Sequence, residues 1–158
     1  MTPRDFLEQI VRPDIDDFHA DYGNVRLAYH AVASTDALAA HLFQWCRIHN
    51  PPAALNANDD SHFRYLLAQK DKHFALIRDV AKAQKHVEIT KTKTAVSSAS
   101  QVAARGIGWG EGGFGEGRFG GPVQAIVTTN AGELKYIEEA VDGARDFLER
   151  EMNAAGVP

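Results

Sequence analysis

Between Asn24 and Asn50 the apolar residues recur with the period of an α-helix. Leu27, Ala28, Ala31, Val32, Thr35, Leu38, Ala39, Leu42, Phe43, Trp45 and Cys46 share one arc. At 100° per residue that arc is about 160° wide. A stripe so broad exceeds what one neighbouring helix covers, so this segment reads as the central helix of a bundle. The opposite side holds Arg26, Asp36, Ala40, Gln44 and Arg47, and Pro51-Pro52 ends the helix.

Shorter helices flank it. Thr2-Pro3-Arg4-Asp5 has the order of a helix start: a Thr cap, Pro in the first turn and an acid near the positive end of the dipole. Phe6, Ile10 and Val11 follow at helical spacing, and Pro13 is expected to stop the run. IDDFHADYGN then reads as a short helix or turn closed by Gly23-Asn24. Asp59-Asp60-Ser61 caps a helix carrying Phe63, Leu66 and Leu67. A further helix runs from near Asp71 to about His86, with Phe74, Leu76, Ile77, Val80, Ala81 and Ala83 on its apolar arc.

Beyond His86 the period changes from 3.6 to 2. HVEITKTKTAVS alternates and is rich in Val, Ile and Thr, SQVAAR is a weaker strand, and PVQAIVTT is a third. Asn130-Ala131-Gly132 fits a three-residue hairpin loop with Gly in the left-handed position, so ELKYI pairs back. Ile137, Ala140, Val141, Ala144, Leu148 and Met152 then restore a helical stripe. The expected fold is α+β in a single domain, 1–158. A helical bundle (1–86) is followed by a small antiparallel β segment (87–136) and a carboxyl-terminal helix (137–154).

Within the β segment, residues 105–121 hold nine glycines in seventeen positions and spell G-x-G-x-x-G at Gly108, Gly110, Gly113 and again at Gly110, Gly112, Gly115. A dinucleotide-binding fingerprint needs a helix opening on its last glycine. The FGEGRFGG that follows Gly113 is hostile to helix, each Gly costing about 1 kcal/mol relative to Ala. No Gly-Lys-Ser or Gly-Lys-Thr is present either. The run therefore reads as a loop, mobile or docked, whose Trp109, Phe114 and Phe119 anchor it to the bundle or stack on a partner.

Seven histidines invite a metal site, yet none is spaced i, i+4 from another. His30 and His41 share a direction but stand about 16 Å apart along the helix, and His73 falls on an apolar side. No Gly-x-Ser-x-Gly occurs, and Cys46, the one cysteine, sits in the buried arc, a poor place for a thiolate. No metal, no cofactor and no complete catalytic set is expected. A single cysteine, no apolar run of membrane length and no secretory pattern at the amino terminus fit a cytoplasmic protein.

The charge is unevenly placed. Residues 1–69 carry five basic and nine acidic groups, whereas 70–93 carry seven basic and three acidic. Within that island RDVAKAQKH sets Arg78, Asp79, Lys82, Lys85 and His86 on one helical face, where an anion could dock. Asp79 is placed to orient Lys82 or the imidazole. Cations at a helix carboxyl end also serve helix stability alone.

The segment FALIRDVAKAQKHVEIT resembles a motif from a loose group of uncharacterised bacterial proteins with an amino-terminal helical bundle and an Arg-Asp-x-Ala-Asn-x-x-Lys-His-like sequence. Lys82 stands where that motif has Asn, the resemblance spans roughly residues 5–95, and it implies no established activity. A more distant similarity is to HEPN bundles, some of them ribonucleases with Arg-x(4–6)-His. Arg78 and His86 are separated by seven residues, so the resemblance implies the architecture and not the nuclease. The expected function is a non-enzymatic binding or interaction module with a protein partner, acting through Trp109, Phe114 or the basic face. The alternative is an RNA-binding or RNA-processing protein that uses Arg78 to His86. Ala33, Ala37 and Ala40 would permit close helix contact in a homo-oligomer.

Overall fold

The computed structural model describes residues 1–86, 89, 94–106 and 123–158. The first helix starts as its residues dictate. Asp5 N–H donates to Thr2 Oγ1 at 3.1 Å and Thr2 N–H donates to Asp5 Oδ2 at 2.8 Å, a reciprocal capping box. These bonds hold the Asp5 carboxyl below its usual range.

Pro13 does not end the run. Helix α1 (Pro3–Phe6) passes through a π-helical turn (Leu7–Val11) directly into α2 (Arg12–Ala20). In that turn the Arg12 N–H reaches back five residues to Leu7 O. The widened turn changes the backbone spacing just where Pro13 lacks a donor and its ring would crowd a carbonyl.

The long helix α3 (Val25–His49) is capped by Asn24, which accepts from the Leu27 N–H at 3.3 Å. It lies against α1, α2, α4 (Asp60–Ala68), α5 (Lys72–His86) and α6 (Ile137–Ala155), the central position its broad arc requires. Asp36, expected on the polar side, is instead buried, together with Ser34 and Thr35. It is seven residues from Phe43, hence only about 20° beyond the apolar edge, and α4 closes over that edge.

The sheet has the order β1-β2-β3, antiparallel throughout: β1 (Val102–Arg105), β2 (Gln124–Thr128) and β3 (Leu134–Tyr136). Val102 pairs with Val127, and Ile126 with Tyr136. The hairpin closes as its sequence prescribes. Gly132 sits at φ +82°, and Thr129 N–H donates to Glu133 O at 2.8 Å. Of the strand expected over 86–97, residues 87, 88 and 90–93 lie outside the described residues, as do 107–121 of the glycine run; Ile89 N–H donates to Ser97 O at 2.7 Å. Val96, Val102, Ala125 and Val127 join the helices in one hydrophobic cluster, so bundle and sheet share a core. Among the described residues no helix is long and apolar enough to cross a membrane.

Candidate functional site

Helix α5 carries the residues that the sequence singles out, and its two polar sides face different surroundings. Asp71 caps it, accepting from the Phe74 N–H at 2.8 Å. Phe74, Ile77, Val80, Ala81 and Ala83 are buried against the bundle, which fixes the direction of every other side chain on the helix. Leu76, placed in the same arc by periodicity, is only half-buried.

On the side toward α4, the Arg78 guanidinium lies over the Tyr65 ring, 5.9 Å from its centroid, and Tyr65 is 50% exposed. One turn and two turns along, Lys82 is half-buried and Lys85 exposed, and His86 is exposed at the helix end. Lys85 Nζ stands 3.5 Å from Asp36 Oδ2. Asp36 also meets Arg64 of α4, whose Nη1 donates to the same oxygen at 2.6 Å. Arg64 Nη2 donates to Asp60 Oδ2 at 2.8 Å, so one guanidinium holds two carboxylates. The second Asp36 oxygen and the Thr35 hydroxyl are buried with no hydrogen-bond partner among the described residues.

Sequence reasoning missed Asp36, Arg64 and Tyr65. The available signal was the arc-edge position of Asp36, and the i, i+4 spacing of Asp60 and Arg64. Nothing in a one-dimensional pattern says that α4 crosses α3 at Asp36.

Asp79 turns away from these cations. Its Oδ2 accepts from the Ala95 N–H at 2.7 Å. Burial pushes its carboxyl above the usual range, while the Ala95 bond and the charges of Arg78 and Lys82 pull the other way. Asp79 thereby lines a cleft of about 430 Å³ between α5, the first turn of α6, Ala95 and the β2–β3 hairpin. Leu76, Ala75 and Ala140 supply apolar wall, with Tyr136 beside them. The Tyr136 hydroxyl is buried and has no hydrogen-bond partner among the described residues. His73 also lines the cleft, packed so closely on α6 that a Cβ built on Gly143 would come 2.6 Å from its Cγ.

Trp109 and Phe114 lie outside the described residues. Cys46 is buried in α3, and desolvation pushes its thiol up to about 11, so it is no nucleophile at neutral pH. His41 stacks on Phe6 with ring centroids 4.0 Å apart, and burial lowers its pKa. No group of three or more potential metal ligands occurs among the described residues. The chain matches no protein-family model, no curated protein and no solved structure, so residue geometry alone carries the functional reading.

Proposed function

We propose that the chain is a non-enzymatic binding module whose α4–α5 face takes single-stranded nucleic acid. The observation that carries this reading is the Arg78 guanidinium over the half-exposed Tyr65 ring. An exposed aromatic ring is a surface on which any base can stack, and an adjoining guanidinium adds a cation for the phosphate. Lys82 and Lys85 continue the same side of α5. Asp36 and Asp60 on this face are both held by Arg64, and Asp36 is shared with Lys85, so the four cations Arg64, Arg78, Lys82 and Lys85 outweigh the two acids.

Fluorescence anisotropy of a labelled RNA of about 12 nucleotides, beside the DNA of the same sequence, tests the reading. Three cationic contacts give a log–log salt slope near −2 for a single strand, so affinity should fall about 15- to 20-fold between roughly 50 and 200 mM salt. Tyr65→Ala should weaken binding at both salts while leaving the slope unchanged. Arg78→Ala should flatten the slope. Absence of binding to both strands at the lower salt removes nucleic acid as the ligand.

A further inference from the structure

The cleft on the other side of α5 is independent of that face and has a chemistry of its own. We infer that it is a binding site for a small organic ammonium ion: a protonated amine on an apolar body, the amine directed to Asp79 and the body laid against Leu76 and the Tyr136 ring.

The charges that line the cleft select the sign. Glu133 and Lys135 pair with each other at 3.0 Å and cancel. Lys72, Asp79 and Glu139 remain, and none of the three makes an ion pair among the described residues. Of these, among the described residues, the one cation, Lys72, is exposed on the first turn of α5 and can hold its ammonium in water. Asp79 has no such freedom, because its Oδ2 is fixed by the Ala95 N–H. Among the described residues its Oδ2 accepts only that bond and no partner is seen for Oδ1, so a half-buried carboxylate oxygen faces the cleft as an acceptor for a donor.

Among the described residues that line the cleft, an anionic ligand would meet that fixed carboxylate with the exposed Lys72 and His73 to offset it, Arg78 and Lys82 acting on the carboxylate from outside the lining. An ammonium meets a desolvated acceptor, and an electron-rich tyrosine ring beside it. The Tyr136 hydroxyl, buried and without a partner among the described residues, is a second oxygen in the lining that a ligand N–H would satisfy if it entered that far. Ala75, Leu76, Ala95 and Ala140 offer nothing to a polar body and match an apolar one. A volume of about 430 Å³ lies within the range of small-molecule sites.

Three probes share one ring and differ only in the group it carries: benzylamine, benzyl alcohol and benzoate. Their affinities, read by ligand-observed NMR titration at neutral pH, test both the site and the sign. A hydrogen bond to a charged partner corresponds to about ten- to a hundredfold in affinity, so benzylamine should bind at least tenfold tighter than benzyl alcohol. Asp79→Asn keeps an acceptor for the Ala95 N–H and removes the charge; benzylamine should drop to the level of the alcohol. Glu139→Gln, at the exposed rim, should change it by less than about threefold. A thermal melt of each variant confirms folding. Benzoate binding as tightly as benzylamine overturns the inferred class, as does benzylamine binding that survives Asp79→Asn. No binding of any probe overturns the site. Because Asp79 lies off the α4–α5 face, Asp79→Asn should leave nucleic-acid affinity intact, so either proposal can fail alone.

Discussion

Removing Arg64 tests whether the ion centre beneath the α4–α5 face is a buried one or an ordinary surface pair. Asp36 keeps 3% of its side chain exposed and Arg64 17%, against 58% for Lys85. Arg64→Ala leaves the Asp36 carboxylate inside the bundle with only Lys85, at 3.5 Å, to answer it. Breaking a buried pair by removing one partner costs about 3–5 kcal/mol, because the survivor is desolvated and unpaired. For a chain of this length each kcal/mol moves Tm by about 2–4 °C, so the expected fall is roughly 6–20 °C. Lys85→Ala, which removes a longer and more exposed contact, should cost no more than about 1 kcal/mol. Asp36→Asn removes the charge that needs Arg64. In that background Arg64→Ala should cost about 1 kcal/mol, leaving a coupling of roughly 2–4 kcal/mol. Urea unfolding of the four proteins of this cycle measures every term. A cost below about 1 kcal/mol for Arg64→Ala, or the same cost in both backgrounds, would refute the buried-charge account.

Two further outcomes follow from the cleft. The Asp79 carboxyl lies above the ordinary aspartate value of 3.8 in the folded chain, mainly through burial. A raised acid contributes stability below its unfolded value and loses it as pH rises through the folded one. Asp79→Asn should therefore gain stability relative to the parent as pH rises from about 4 toward neutrality, measured by urea midpoints across that range; a constant difference would contradict it. Gly143→Ala sets a Cβ 2.6 Å from His73 Cγ and 2.7 Å from Nδ1. The crowding, about 1–3 kcal/mol, outweighs the gain of about 1 kcal/mol in helix propensity. In a His73→Ala background only the contact to Cβ at 3.0 Å remains, and most of the penalty should vanish. An equal penalty in both backgrounds would place the strain elsewhere.

What a one-dimensional pattern can hold is visible in which elements were legible. The Thr2 cap, the helix that runs from Asn24, the hairpin turn at Gly132 and the stripe from Ile137 to Met152 are local or periodic features, and all are found in the fold. Pro13 misled because a proline forbids a donor but not a wider helical turn, and the choice of π spacing depends on packing along the whole of Leu7–Val11. Asp36 misled for a related reason. A wheel assigns a side by angle alone, whereas burial at an arc edge depends on which helix crosses there. Arg64 reaches Asp36 across twenty-eight residues of chain, a distance over which no spacing rule operates.

The same limit explains how α5 came to look like one basic face. Arg78, Asp79, Lys82, Lys85 and His86 do fall within an arc of about 120° by their spacing. That arc straddles the boundary between two neighbours: α4 and α3 on the side of Arg78 and Lys85, the Ala95 segment and the hairpin on the side of Asp79. The acid between the cations is thus directed into a cleft by its bond to Ala95, not into an ion pair with Lys82 or His86. If Asp79 served only to cap the Ala95 N–H, an uncharged acceptor would do so without the burial cost that raises its carboxyl. The charges of Arg78 and Lys82 offset part of that cost, and the ammonium ion proposed for the cleft would offset more of it.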